Sequence, residues 1–211
     1  LVPIEECAGG LGNNLERQLV TDLFYSTDGG GMDKQTIEIV SIQAIQHLPL
    51  WTAYAKYCEE IAMDNWSNPN EGRLFHGTGT IPPEEVFLSH SDCKLFYRVC
   101  TTAVNTNDDG VDIHNLLDAN KIRFSSSAIF ADQYAYRNNN NGARQIILSR
   151  VALGRTKQIG LSSLKYHSTT ETDAANRTIF SIRHASHDEP FQHQVYPEYI
   201  VTYKEKALSL I

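Results

Sequence analysis

The chain has 211 residues, of which 41% are apolar and 20% are charged, and its formal net charge is −7. This length suits one substantial domain, and the composition is that of a globular protein, which excludes a disordered chain. The acidic balance argues against a general binder of nucleic acids or membrane surfaces, and no apolar run is long enough to span a bilayer.

The four cysteines show no CxxC spacing, so we expect buried free thiols and no metal site. The first residues lack the basic start and the long apolar middle of a signal peptide. Asn65 and Asn176 each begin a glycosylation sequon, but such matches are common by chance. We therefore expect an intracellular location. Because the chain begins with Leu1, we also expect it to be part of a longer protein.

The pattern of apolar residues predicts two helices and a strand in the first part of the chain. Leucines recur at helical spacing after Asn13 and Asn14, either of which is a suitable cap. Pro49 begins the second helix, whose apolar face carries Trp51 and Tyr54. The predicted bounds are a helix over 14–25, a glycine break at 28–31, a strand over 36–45, a helix from 49 and a loop over 65–72.

The rest of the chain is predicted to contain mainly strands and turns. Pro82 and Pro83, followed by two glutamates, are typical of a helix start. Pro197 at the beginning of the last strand suits an edge position in the sheet. The predicted segments are strands over 74–76, 145–150 and 196–203, turns over 105–110 and 138–141, and a mobile polar loop over 162–177. Many short strands with two early helices indicate an α+β fold with a mostly antiparallel sheet.

His76-Gly77-Thr78 ends one of these strands and is the first candidate site. A glycine lets a ligand approach the backbone closely, and a histidine offers a directed hydrogen bond. By itself the triplet is better explained as a strand that ends at a turn, because the chain has eight histidines and thirteen glycines.

Five segments carry recognisable motifs, namely 39–54, 70–78, 122–136, 147–154 and 194–203. Taken in order, they together resemble the catalytic domain of the poly(ADP-ribose) polymerase (PARP) family, including its mono-ADP-ribosylating members and the tankyrases. Segment 70–78 is similar to the family's "NE..LFHGT" strand, and segment 194–203 is similar to "QAYPEYLITY". The resemblance covers residues 15–206 and implies a single domain over 1–211. It implies the ADP-ribosyltransferase fold, with a split, mostly antiparallel β-sheet core and flanking helices.

The resemblance implies NAD as the donor of ADP-ribose, with a protein acceptor or, as an alternative, a nucleic-acid acceptor. Nicotinamide leaves through a transition state that resembles an oxocarbenium ion. Such a site must hold the carboxamide, stack on the ring and stabilise positive charge on the ribose.

Individual residues match the family positions that do this work. His76 matches the histidine that hydrogen-bonds the ribose on the adenosine side, and the backbone of Gly77 matches the clamp for the carboxamide. Tyr134 matches the tyrosine that stacks on nicotinamide, although it is equally well explained as part of the apolar face of a helix. Thr78 and Ser125 complete the predicted NAD-binding set together with Ala131.

Other positions depart from the family pattern. Arg123 stands where the family has a second tyrosine, and Ala131 stands where a serine hydroxyl holds the carboxamide. A buried arginine would repel the cationic nicotinamide, and the missing hydroxyl removes a hydrogen bond worth roughly 1 kcal/mol. The third catalytic position is glutamate, isoleucine or leucine in the family. Here it is Ile179 or Glu189, with Ile179 preferred because a proline follows Glu189. Glu198 lies in the terminal strand and is predicted to be a surface or structural carboxylate, not the catalytic glutamate.

The sequence thus predicts an NAD-dependent ADP-ribosyltransferase domain that adds single ADP-ribose units and is impaired in activity. The alternative is a catalytically inactive PARP-like domain that acts through protein interaction. A third reading, an unrelated α+β binding module, predicts a structure without the split strand core. Whether the domain is an active enzyme stays open at this point.

Overall fold

The computed structural model describes residues 1–3, 11–26, 31–88, 121–158, 168–172, 177–183 and 193–207. In these ranges the helices are α1 Leu11–Tyr25, α2 Leu48–Asp64, α3 Pro83–Leu88 and α4 Ala128–Asp132. The strands are β1 Val2–Pro3, β2 Ile37–Ala44, β3 Glu71–His76, β4 Lys121–Ser125, β5 Tyr136–Arg137, β6 Arg144–Ala152, β7 Thr156–Gln158, β8 Ser168–Thr172, β9 Thr178–Arg183 and β10 Val195–Glu205. The predicted turn at 105–110, most of the glycine break and Glu189 lie outside the described residues.

The strands form one sheet in the order β1-β2-β10-β6-β3-β4-β9-β8-β7, with β5 added beside β6. Within the described residues, β7 and β8 pair in parallel and the other pairs are antiparallel. β3 and β4 share one pair of residues in register, Phe75 and Ser125, so the sheet opens at this point. The predicted α+β class with a mostly antiparallel, split sheet is confirmed.

Two apolar clusters pack against β6, one on each face of the sheet. Ile147 and Val151 belong to the cluster that includes Tyr54 and Ile61 of α2. Leu148, which follows Ile147 and points to the other face, belongs to the second cluster, and other members of that cluster come from α1 and α4. Successive side chains of a strand point to opposite faces of the sheet, so neighbouring residues of β6 lie in different apolar clusters. Because both faces are buried, the sequence of β6 is a nearly continuous apolar run.

The two long helices were predicted, but their starts differ. α2 begins at Leu48, and the side chain of His47 accepts a hydrogen bond from the Leu50 N–H at 3.2 Å as its cap. α1 begins at Leu11, so the prediction that Asn13 or Asn14 caps it is wrong. Cap preferences amount to about 1 kcal/mol, so other interactions that extend the helix can outweigh them.

Two predictions about the sheet were wrong, both because partners distant in sequence decide strand position. β10 lies between β2 and β6, so Pro197 is not on an edge strand. The register with β6 shifts between Pro197 and Tyr199, and this bulge accommodates a residue without an N–H. The predicted mobile loop contains β8, whose threonines suit a strand once β9 is beside it.

Three smaller predictions concern a turn, a cysteine and the length of the helices. The asparagine turn is confirmed, since Asn138 donates its N–H to the Ala143 carbonyl at 2.8 Å. Cys58 is a free thiol but is half-buried, which corrects the expectation of a fully buried one. No helix in the described ranges is both long and apolar enough to cross a bilayer.

Candidate functional site

His76 is the last residue of β3 and lies where β3 and β4 separate. It is buried, with 6% of its surface exposed, and its ring centroid is 5.3 Å from that of Phe124. Its Nδ1 atom is 2.8 Å from the carbonyl oxygen of Arg123. A carbonyl oxygen only accepts, so this contact assigns the proton to Nδ1 and leaves a lone pair on Nε2.

Burial also sets the charge of this histidine. Desolvation lowers the pKa of His76 from 6.5 to about 4, although the hydrogen bond to the Arg123 carbonyl acts in the opposite direction. The ring is therefore neutral at pH 7. A neutral ring with its proton on Nδ1 presents Nε2 as a hydrogen-bond acceptor, which suits a hydroxyl donor and not an anion.

Gly77 follows directly and is packed against the end of α4. A Cβ atom at this position would lie 2.6 Å from the carbonyl oxygen of Ala131 and would also overlap the carbonyl of Tyr134. The N–H of Gly79 donates to that same Tyr134 carbonyl at 2.7 Å. The backbone at 77 thus requires glycine for a reason not visible in the motif, namely its close approach to a neighbouring turn.

The hydroxyls of Thr78 and Ser125 are both used within the protein. Thr78 is buried and donates to the carbonyl of Ile81 at 2.6 Å. Ser125 donates to the carbonyl of Thr178 at 2.9 Å and accepts from the N–H of Ser127 at 3.1 Å. These two side chains therefore stabilise the loops on either side of His76.

The next two predicted residues, Ala131 and Tyr134, lie in α4 and just after it. Ser127 caps the helix by accepting the Phe130 N–H at 3.2 Å, and Ala131 is buried against the sheet. Tyr134 lies in the turn after the helix, half-buried, with its ring centroid 5.7 Å from that of Phe130. The reading of Tyr134 as part of a helix face is thus wrong, because α4 ends at Asp132.

Arg123 and Ile179 lie on the adjacent strands β4 and β9. Ile179 is on β9, opposite Ser125 of β4, and only 5% of its surface is exposed. On its other side, Ile179 is opposite Glu171 of β8. The Nε atom of Arg123 is 3.5 Å from the Oε1 atom of Glu171, and their side chains are 23% and 34% exposed. Sequence reasoning missed Glu171, although the run of threonines around it was a strand signal.

Glu198 belongs to a separate charged cluster on β3, β6 and β10. Its carboxylate accepts from Arg73 at 2.7 and 3.1 Å and from Arg150 at 2.9 Å, and its side chain is 11% exposed. The contact with Glu198 raises the pKa of Arg73. Because this carboxylate already binds two guanidinium groups, its role is to link the three strands β3, β6 and β10. Among the described residues, no group of His, Cys, Asp and Glu side chains is arranged to hold a metal ion.

Comparison with known proteins bears on the fold. No family model matches the chain, and no curated protein matches it in sequence. Among solved structures, the PARP domain of RADICAL-INDUCED CELL DEATH1 from Arabidopsis is similar with a TM-score of 0.57. The chain has the fold of a PARP domain. The match covers 90% of this chain and 98% of that one at 13% sequence identity, so what it shows is the ADP-ribosyltransferase fold.

Proposed function

We propose that this PARP-like domain binds NAD and slowly transfers single ADP-ribose units to a protein acceptor inside the cell. The observation that carries the proposal is the buried, neutral His76 at the opening of the sheet, followed by a glycine that has no room for a side chain. This arrangement supports recognition of a nicotinamide nucleotide, since the histidine accepts from a ribose hydroxyl and the glycine offers its backbone.

Tyr134 and Ala131 are the residues expected to contact the nicotinamide part of NAD. Tyr134, half-buried after α4, is the candidate for stacking on the nicotinamide ring, a contact worth about 0.5–1.5 kcal/mol beyond area burial. Ala131 offers no hydroxyl to the carboxamide, which costs about 1 kcal/mol in binding. The domain is therefore expected to bind NAD more weakly than a site that has both a serine and a second tyrosine.

Impaired catalysis follows from the side chain at position 179. Ile179 is buried on β9 and carries no charge, so it cannot stabilise the positive ribose as nicotinamide leaves. It also cannot act as a base toward a ribose hydroxyl, which chain growth would require. These two properties support slow transfer of single units and argue against polymer formation.

A second candidate function is an inactive domain that acts through protein contacts. The presence of Arg123 at the usual tyrosine position favours it, because a guanidinium near the nicotinamide opposes binding of a cationic ring. This candidate predicts no NAD turnover and weak or absent NAD binding.

Isothermal titration and mass spectrometry test the proposal. We expect micromolar NAD binding, a roughly tenfold loss in His76→Gln, and an unchanged affinity in His47→Asn, which removes a histidine from another element and keeps a cap acceptor. After incubation with NAD, mass spectrometry is expected to find single ADP-ribose additions. Binding without any transfer would support the inactive domain, and polymer chains would contradict the role assigned to Ile179.

A further inference from the structure

One face of the strands β4, β9 and β8 brings together three side chains, one from each strand. Ile179 of β9 is directly opposite Ser125 of β4 and Glu171 of β8, and Arg123 of β4 is opposite Ser181. Side chains that are opposite each other in a ladder project to the same face of a sheet. Arg123, Ile179 and Glu171 therefore share one face, the face opposite to that of Phe124 and Ile182.

The ion pair between Arg123 and Glu171 crosses β9. Neighbouring strands lie about 4.8 Å apart, so β4 and β8 are separated by roughly 10 Å. The arginine must extend over β9 to bring its Nε atom to 3.5 Å from the Glu171 carboxylate. Its side chain thus crosses the face of β9 that carries Ser181 and Ile179, and it ends next to an opposite charge.

We propose that Glu171 is a positioning residue for the nicotinamide site, which holds the Arg123 guanidinium across β9 and cancels its positive charge. This inference rests on the proposed function and on the family match of position 123, which would place the guanidinium beside the cationic nicotinamide ring. Glu171 removes the repulsion that the arginine would otherwise exert on that ring. The substitution of tyrosine by arginine in this chain is therefore matched by a carboxylate two strands away.

The size of the effect follows from charge and distance. If the guanidinium lost Glu171 and lay about 7 Å from the ring, its charge at an effective dielectric constant of about 20 would lower affinity by up to about fiftyfold. Both side chains are partly exposed, with 23% and 34% of their surfaces open to solvent, so screening reduces this effect. We expect a roughly tenfold loss at low salt and a smaller one at high salt.

Ligands that differ in ring charge give a direct test. The nicotinamide ring carries a positive charge in NAD⁺ and none in NADH, and ADP-ribose lacks the ring. Isothermal titration of all three is expected to show that Glu171→Gln weakens NAD⁺ binding roughly tenfold and leaves NADH and ADP-ribose within about twofold. In the double variant, Arg123→Gln with Glu171→Gln, NAD⁺ affinity is expected to return to the wild-type range.

The control variant is Glu38→Gln, which removes the carboxylate of a surface ion pair with Lys204 at 3.2 Å and should leave all three affinities unchanged. Equal weakening of NAD⁺, NADH and ADP-ribose in Glu171→Gln would mean that the residue supports the fold only, and would overturn the inference. Unchanged NAD⁺ affinity would overturn it as well. If the wild-type protein bound none of the three ligands, the proposed function itself would fail.

Discussion

Replacing His76 with glutamine is expected to change how stability depends on pH. The pKa of His76 is about 4 in the folded protein, against 6.5 ordinarily, because its ring is buried between β3 and β4. At 1.36 kcal/mol per pKa unit, this difference corresponds to about 3 kcal/mol. The unfolded chain binds the proton more readily, so this stability is fully present above pH 6.5 and is lost as the pH falls through about 4.

Urea denaturation followed by the fluorescence of Trp51 and Trp66 measures the effect. Between pH 7.5 and 4.5 the wild-type protein is expected to lose about 2–3 kcal/mol more free energy of unfolding than His76→Gln. Other titrating groups are common to both proteins and cancel in this comparison. Glutamine keeps an amide donor for the Arg123 carbonyl, so the variant is expected to fold. If the two proteins showed the same pH dependence, the neutral state of His76 in the folded protein would be refuted.

Two further substitutions test the packing around the site and the charged cluster. Gly77→Ala should lower the free energy of unfolding by about 1–3 kcal/mol and weaken NAD binding, since its methyl group would overlap the backbone oxygens of Ala131 in α4 and of Tyr134 after it. An unchanged stability by urea denaturation would contradict the close approach. Glu198→Gln should cost about 2 kcal/mol in the same measurement, because Arg73 and Arg150 would lose their shared carboxylate while remaining partly buried. Its control is Glu205→Gln, whose side chain is 79% exposed and whose loss should cost less than about 0.5 kcal/mol.

Local patterns predicted some of the elements around the candidate site. The apolar run before His76 indicated β3, and the proline pair with two glutamates indicated α3. These signals succeed because strand and helix preferences depend on neighbouring residues. The ordered set of motifs also predicted the fold, which the structural comparison confirms.

The errors arose where long-range pairing outweighed a local preference. Pro197 by itself favours an edge, yet β10 is central because β2 and β6 flank it and a bulge accommodates the proline. The segment around Glu171 is polar and reads as a loop, but β9 completes its hydrogen bonds and makes it a strand. A single sequence does not indicate which strand will lie beside another.

The sequence by itself determined the helices α1, α2 and α3, the strands β2, β3, β6 and β10, and the motif around His76. It did so because these features are local, and a motif is a matter of residue identity and spacing. Only the tertiary structure decided that the His76 ring is buried and neutral, that Gly77 contacts the turn after α4, and that Glu171 faces Arg123 across β9. Burial and charge pairing depend on which strands become neighbours, and that choice is made by the packing of the whole sheet.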